Sequence, residues 1–296
     1  MPELPEVDAI KLQLQKFLIG HTVTDIDIRY KKTFEGDEKH IIGTKIKDVR
    51  RFGKVLSIDF ANDYSLVIHI KLTGQLIYRG PNLPKAPALS KKVSDGLGGK
   101  HTLIVIDLDR EGRLFYNDFR RFGWFKVVKT PEVLEMKFIK ELGPEPFRDL
   151  TLPYFREILV KTRRAIKTLI MDQAKIGGIG NIYANDALWL AQINPETPAN
   201  VLDDTKVIEL YKAIETVLRR GIEHGGASEL SFVIPDGSEG EYQKFFLAYG
   251  RDGDPCPRCH KAKFEKIKVG GRGTVFCPVC QVKLGSSDTN GELFKL

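Results

Sequence analysis

Apolar positions at Val7, Ile10, Leu14, Phe17 and Leu18 recur at helical spacing over residues 3–19, and Gly20 ends the stripe. The period then changes. Alternating patterns run through TVTDIDIRY at 22–30, VLSIDF at 55–60, SLVIHI at 65–70, QLIY at 75–78, TLIVIDL at 102–108, RLFYND at 113–118 and WFKVV at 124–128. They predict half-buried or sandwich-core strands joined by short polar turns. Residues 80–100, rich in Pro, Lys, Gly and Ser, read as a loop or disordered insert. Residues 1–130 thus read as one helix followed by a β-sandwich or barrel. The break GPEPF at 143–147 reads as a linker, and beyond it helices dominate. Candidates are 153–161, 163–174, 181–191 and, most regular, 204–223. In the last, Val207, Leu210, Tyr211, Ile214, Val217, Leu218 and Ile222 form one stripe behind the capping residues Asp203 and Asp204. The pair Gly225–Gly226 ends it, and an aperiodic, mobile-looking segment, 225–241, follows.

Of 296 residues, 42% are apolar and 29% charged, enough for a sizeable core and, at roughly 100–200 residues per domain, for two domains. No apolar run approaches the ~18 residues of a membrane span, and the opening PELPEVD is too acidic and proline-broken for a secretory signal. Membrane, collagen-like, disordered and disulfide-scaffold classes are excluded, and a cytoplasmic location is expected. The four cysteines, Cys256, Cys259, Cys277 and Cys280, are spaced C-x2-C-x17-C-x2-C, the pattern of a four-thiolate Zn²⁺ site. Two disulfides or free thiols are the alternative. Four thiolates close the coordination shell, so such a zinc is structural.

The net charge of +7 is concentrated where the cysteines are. Arg258, Lys261, Lys263, Lys266, Lys268 and Arg272 face one anion, Glu265, and KFEKIKVGGRGTVF reads as two strands around the turn Gly270–Gly273. A clamped hairpin carrying cations is a candidate phosphate-binding finger; a solvated basic face is the alternative. A second basic cluster (Lys161, Arg163, Arg164, Lys167 and Lys175) precedes KIGGIGN at 175–181. Glycines before a helix let backbone N–H groups face a phosphate, although they also make a tight interhelical turn. YNDFRRFGW at 116–124 adds guanidinium groups for phosphates or base edges and rings able to wedge between bases, or else ordinary core aromatics.

Together, MPELPEV, RRFGK at 50–54, HIKLTGQL at 69–76, YNDFRRFG, GIGNIYA at 178–184 and YGRDGDPCPRC…GRGTVFCPVCQ at 249–281 resemble the formamidopyrimidine-DNA glycosylase family of bacterial base-excision repair over nearly the whole chain. The resemblance implies an α+β multidomain fold. It places a helix and β-sandwich catalytic domain at 1–130, a linker at 131–152 and a helix-two-turns-helix DNA-binding domain at 153–248. A zinc-finger hairpin at 249–283 and a tail at 284–296 complete it. It further implies a monomeric, bifunctional glycosylase and abasic-site lyase acting on double-stranded DNA with damaged bases or abasic sites, chiefly 8-oxoguanine and formamidopyrimidines. Pro2, after removal of Met1, would be the nucleophile, Glu3 the acid–base residue and Glu6 its support. Lys54 would contact a phosphate beside the lesion and assist at the base, and Arg272 would join this group. His69, Arg121, Asn181 and Arg272 are implied phosphate contacts, with Lys175 beside them. Leu72, Arg120 and Phe122 would fill the hole left by the flipped nucleotide, Arg120 reading the widowed cytosine.

Three positions depart from the family pattern. Leu72 replaces a methionine, Phe119 replaces a proline, and His260 stands where glycine is common. These bear on damage preference more than on reaction type. An endonuclease-eight-like enzyme for oxidised pyrimidines, with the same chemistry, and a catalytically silent zinc-ribbon binder are the competing readings.

Overall fold

The computed structural model describes residues 1–83 and 85–284, so Pro84 of the 80–100 insert and residues 285–296 of the expected tail lie outside the described residues. The chain divides into two compact units, Met1–Glu145 with Leu218–Phe245, and Pro146–Val217 with the residues from Phe246 onward.

In the first unit, α1 (Leu4–Leu18) precedes nine strands: β1 (Val23–Ile28), β2 (Phe34–Glu35), β3 (Ile46–Phe52), β4 (Val55–Phe60), β5 (Tyr64–His69), β6 (Gly74–Arg79), β7 (Thr102–Leu108), β8 (Arg113–Asp118) and β9 (Trp124–Lys129). They form a five-stranded sheet in the order β2-β9-β5-β4-β3 and a four-stranded sheet in the order β1-β7-β8-β6. Every pairing is antiparallel except β2 with β9. The inward residues of both sheets join the stripe of α1 in one core: Val7, Ile10, Leu14 and Phe17 pack with Val49, Leu56, Ile68 and Phe125 of one sheet and Leu76, Ile104 and Tyr116 of the other. This is the expected helix-plus-sandwich. Because α1 contacts β3, β4 and β6, its N-terminal residues are fixed relative to both sheets.

Two stretches differ from the sequence reading. Residues 131–145, expected as linker, form a 3-10 turn (Thr130–Glu135) and α2 (Lys137–Lys140), whose Val133 and Ile139 pack on Val55 and Val67 of the sandwich. Residues 218–245, expected within the helical domain, belong to the first unit. In both cases the anchoring is a few apolar contacts with distant strands, which local periodicity does not carry.

The second unit holds α3 (Leu152–Val160), α4 (Ile166–Ile170), α5 (Asn181–Leu190), most of α6 (Asp204–Glu223), and the hairpin β10 (Glu265–Val269) and β11 (Arg272–Phe276). Trp189, Ala248, Phe264 and Val275 pack around Cys256 and Cys277, joining α5 to the hairpin. The hairpin turn is tighter than expected. Val269 pairs with Arg272, leaving only Gly270 and Gly271, both at positive φ, as its two-residue tip. The expected helix 163–174 is reduced to α4, because Ile166 N–H donates to Thr197 O at 2.8 Å and Ala199 N–H to Arg164 O at 2.9 Å. Among the described residues no helix is long and apolar enough to cross a membrane.

Glu145 is fully buried; its carboxylate accepts from Gly53 N–H at 2.9 Å and pairs with Arg51. Removing Glu145 takes away one of the two carboxylates that hold Arg51, the other being Asp8, and unpairs the buried Gly53 N–H. Glu145→Ala should therefore lower unfolding free energy by ~3–5 kcal/mol in urea titration. Glu135→Ala, which breaks only the exposed pair with Lys140, should leave the midpoint unchanged.

Candidate functional site

Pro2 immediately precedes the N-cap of α1, Glu3, and it is buried together with Glu3 and Glu6, which are 3% and 1% exposed. Glu6 Oε2 accepts Glu3 N–H at 2.8 Å, and Glu6 Oε1 accepts Ala227 N–H at 2.7 Å. One buried carboxylate thus joins the start of the chain to the segment that follows α6. The approach is close enough to require glycine: Gly226 has φ +82°, and a Cβ there would lie 2.8 Å from Glu6 Cγ.

The next turn of α1 is tied to Lys54. Asp8 Oδ1 accepts Arg51 Nε–H at 3.1 Å, and Arg51 also donates to Gly53 O at 3.0 Å and pairs with Glu145. Glu145 in turn holds Gly53 N–H, so the Arg51–Lys54 turn between β3 and β4 is pinned from both sides. Lys54, 8% exposed, follows directly.

Lys54 and Lys71 both bear on His69, the last residue of β5. Burial above all, then the charges of Lys71 and Lys54, lower the His69 pKa to about 3. Lys71 N–H donates to His69 Nδ1 at 3.0 Å. The single proton of the neutral ring therefore sits on Nε2, which makes that atom a hydrogen-bond donor.

The loop from β8 to β9 is built on Asp118. Its carboxylate accepts the N–H groups of Arg120 at 3.1 Å, Phe122 at 2.9 Å and Gly123 at 2.8 Å. It also takes the hydroxyls of Tyr116, at 3.2 Å, and Thr73. Thr73 adjoins the half-buried Leu72, so Leu72 and the 120–122 loop share this anchor. With three of the loop's N–H groups held on Asp118, the side chains of residues 119–122 are exposed. Arg120 and Arg121 are exposed, and Phe122 is 59% exposed with the Arg120 guanidinium 4.8 Å from its ring centroid. Arg121 has φ +56° and lies over Tyr30.

In the second unit, Gln173 shapes the KIGGIGN turn, donating to Ile179 O at 2.7 Å and accepting from Gly178 N–H at 3.0 Å. Of its three glycines only Gly178 has positive φ. Asn181 opens α5, half-buried. Asn185 bonds Asn181 O at 2.6 Å and accepts Val275 N–H at 2.7 Å, so one side chain fixes the helix start against β11. The buried Lys167 donates to Thr274 Oγ1 at 2.7 Å and Gly273 O at 3.1 Å, holding the hairpin to α4 and leaving Arg272 exposed at the start of β11. Lys175 is exposed in the turn. Against burial, which raises it, Arg164 and Lys175 hold the Asp172 carboxyl below its usual range.

The four cysteine sulfurs lie within 4.8 Å of one another, with Cys256 to Cys280 at 3.8 Å and Cys259 to Cys277 at 3.7 Å. A tetrahedron of roughly 2.3 Å Zn–S bonds has edges of about 3.8 Å, so the quartet fits Zn²⁺. Arg258, counted by sequence among the finger's cations, faces inward: it donates to Trp189 O at 2.7 Å and lies 4.1 Å from the Trp189 ring centroid. It caps the end of α5.

In one unit, then, Glu6 bonds Glu3 at the head of α1 and Lys54 bears on His69; in the other, Asn185 ties Asn181 to the strand that carries Arg272. Sequence reasoning missed Arg51, Asp118, Glu145 and Asn185 behind them, and it counted Lys167 among the outward cations although Lys167 is buried on Thr274 and Gly273. Arg51 and Asp118 lie inside RRFGK and YNDFRRFG, where position in the motif was a usable signal; a buried Lys167 amid a basic run had none.

Three family models match the chain: Formamidopyrimidine-DNA glycosylase N-terminal domain over residues 1–125, Formamidopyrimidine-DNA glycosylase H2TH domain over 142–232, and Zinc finger found in FPG and IleRS over 253–282. The Formamidopyrimidine-DNA glycosylase of Pelotomaculum thermopropionicum is 38% identical across 95% of this chain and 99% of its own length. Lactococcus lactis Fpg in complex with N7-benzyl-Fapy-dG-containing DNA superposes with a TM-score of 0.83 at 35% identity, over 95% of this chain and 100% of that one. The same protein with abasic-site-containing DNA gives 0.83 at 34%, with the same coverage.

A histidine whose folded pKa lies below its unfolded value contributes stability above the unfolded pKa, lost as pH falls toward the folded one. For His69 the window runs from 6.5 down to about 3. Between pH 6.5 and 5 its share is about 2 kcal/mol, so His69→Gln should flatten the pH dependence of stability by that much in paired denaturant titrations. Cys277→Ser should lower bound zinc by about one ion per chain by atomic absorption and expose the 253–282 amides to hydrogen exchange.

Proposed function

The chain belongs to the formamidopyrimidine-DNA glycosylase family, and from that premise we propose that it excises oxidised purines through a Schiff base on Pro2 and then cleaves the strand as an abasic-site lyase. A DNA-repair glycosylase follows from the family itself. The observation that carries the finer reading is the bracket at the head of α1: a buried proline, two buried carboxylates, and Glu6 spanning Glu3 N–H and Ala227 N–H.

With Met1 removed, Pro2 carries a secondary α-amine, whose class titrates near ~8. An amine of that class is partly unprotonated at neutral pH, so a fraction is available as the free base. Its lone pair forms a bond to C1′ of the damaged nucleotide while the bond from C1′ to the base breaks and the base leaves with a proton. Glu3 supplies a proton to the opening sugar oxygen. The iminium so formed withdraws electrons, the C2′ proton is lost, and the 3′-phosphate and then the 5′-phosphate depart. Water finally frees Pro2.

Substrate grip follows from the side chains the two units display. His69 donates through Nε2 as a neutral partner, Lys54 adds charge beside it, and Arg121, Asn181, Lys175 and Arg272 complete a set of phosphate contacts. Phe122, Leu72 and Arg120 occupy the vacated stack, and residues 225–241 contribute to the pocket for the damaged base. Zinc on Cys256, Cys259, Cys277 and Cys280 would fix the fold of the finger that carries Arg272. The relative solved with abasic-site DNA supports abasic sites as ligands, and its complexes with N7-benzyl-Fapy-dG and with an oxidised pyrimidine support damaged bases of both kinds.

Borohydride should trap a covalent adduct with 8-oxoguanine duplex and far less with thymine-glycol duplex, using protein whose N-terminal mass shows Pro2 first. Pro2→Ala should keep duplex affinity within a few-fold and lose at least ~100-fold in cleavage. Cleavage by that variant at the wild-type rate would move the nucleophile elsewhere.

A further inference from the structure

The 80–100 insert carries no part of the chemistry above, yet it is bonded to the segment that follows Glu6's partner, Ala227. Lys92 Nζ donates to Ser228 O and pairs with Glu239 at 2.7 Å. Ser90 N–H donates to Gly237 O at 2.9 Å, and the Ser90 hydroxyl to Glu239. Gln75 on β6 donates to both Lys92 O, at 2.8 Å, and Ser231 O, while accepting Ser94 N–H at 3.0 Å. Beneath these bonds Leu89, Val93 and Leu97 of the insert pack with Val233 of the segment and Ile77 of β6. Gly237 has φ +88°, and a Cβ there would lie 2.6 Å from Leu89 Cδ2.

Among its fastenings are Ala227 on Glu6, Phe232 in the main core, Val233 under the insert and Pro235 O on Tyr78 N–H at 2.7 Å. Between the first two, residues 228–231 form a bow whose ends, Ser228 and Ser231, are buried and whose tip, Leu230, has φ +46° and is 70% exposed. The bow starts one residue after the N–H that shares Glu6 with Glu3. Lys92 and Gln75 hold its two feet, Ser228 O and Ser231 O.

We infer that Lys92 is a positioning residue for recognition of the damaged base, with the 80–100 insert acting as a clamp that sets the height of the 228–231 bow beside the Pro2–Glu3 head. The inference rests on the reading of Pro2 as nucleophile and of 225–241 as part of the base pocket. An extruded nucleoside at Pro2 presents its base to the bow, whereas an abasic sugar presents nothing there. The clamp therefore matters for excision of a base and not for cleavage at a site already lacking one. Its ammonium ties Ser228 O and Glu239, near the two ends of the segment, to one group, so its loss frees Ser228 O while Gln243 and Gly240 still hold the rest of Ser228.

The test compares single-turnover rates on 8-oxoguanine duplex and on abasic-site duplex. Lys92→Met should slow base release by about tenfold and leave abasic-site cleavage within about twofold of wild type. Lys92→Arg, which keeps donors for both partners, should restore most of the base-release rate. Glu239→Gln should give a smaller loss of the same kind, and it guards against misfolding of the Met variant. Amide exchange in Lys92→Met should accelerate at 227–240 alone. Equal losses on both substrates would reduce Lys92 to a general prop, and unchanged rates on both would detach the bow from the clamp; either result overturns the inference. A wild-type protein that forms no borohydride adduct on abasic DNA would instead fail at Pro2, and is told apart because the silence precedes any change at Lys92.

Discussion

A buried carboxylate must have its oxygens satisfied or leave its charge stranded. At Glu6 that requirement places the start of the chain. Its two oxygens take Glu3 N–H and Ala227 N–H, so the backbone before α1 and the backbone after Gly226 cannot move independently. Neither segment has a sheet ladder to hold it. The carboxylate replaces one, at a point where a regular strand would block access to Pro2. A chain end without such an anchor would otherwise fray.

The same device recurs wherever a functional side chain is displayed. Asp118 gathers three N–H groups and two hydroxyls so that Arg120, Arg121 and Phe122 turn outward. Glu145 and Arg51 hold the turn that carries Lys54. Asn185 and Lys167 fix α5 and α4 against the hairpin that carries Arg272. In each case an inward polar group saturates the backbone of an irregular stretch and thereby lowers the entropy that DNA binding would have to remove. The outward cations are then free to meet phosphates with little rearrangement. The opposite design, with long mobile arginines on unsupported loops, would bind with the same charge but a larger ordering cost.

What could be read from the chain alone follows the range of the interactions concerned. Helix α6 was readable to the residue because its cap, stripe and terminating glycines are local. The cysteine quartet was readable because metal geometry imposes its own spacing. Strand β3 was missed: IKDVRRF carries four charged residues in seven, and it is held by pairing with β4, including the Arg50–Asp59 ion pair. Helix α4 was overextended because its start is set by Thr197 and Ala199, about thirty residues away in sequence. The insert at 80–100 looked structureless for the same reason, since its partners lie near residue 235. For the site, residue types inside compact motifs were visible, while the inward groups that hold them, Glu145 above all, depend on contacts that no local pattern encodes.

Phe119, where the family pattern has proline, tests the idea that Asp118 supplies the stiffness of this loop. A proline there would fix its own φ, lack an N–H, and push the preceding residue into extended backbone. Asp118 is already extended as the last residue of β8. Its carboxylate takes the N–H groups of residues 120, 122 and 123 and leaves that of 119 out. The extended residue that proline would impose before itself is thus present without it, and the Phe119 N–H takes no part in the Asp118 bonding. What the substitution adds is a 48% exposed ring, edge-on to His101 at 6.3 Å. The departure therefore changes the apolar surface beside Phe122 while the backbone that aims Arg120 and Arg121 stays under the control of one aspartate.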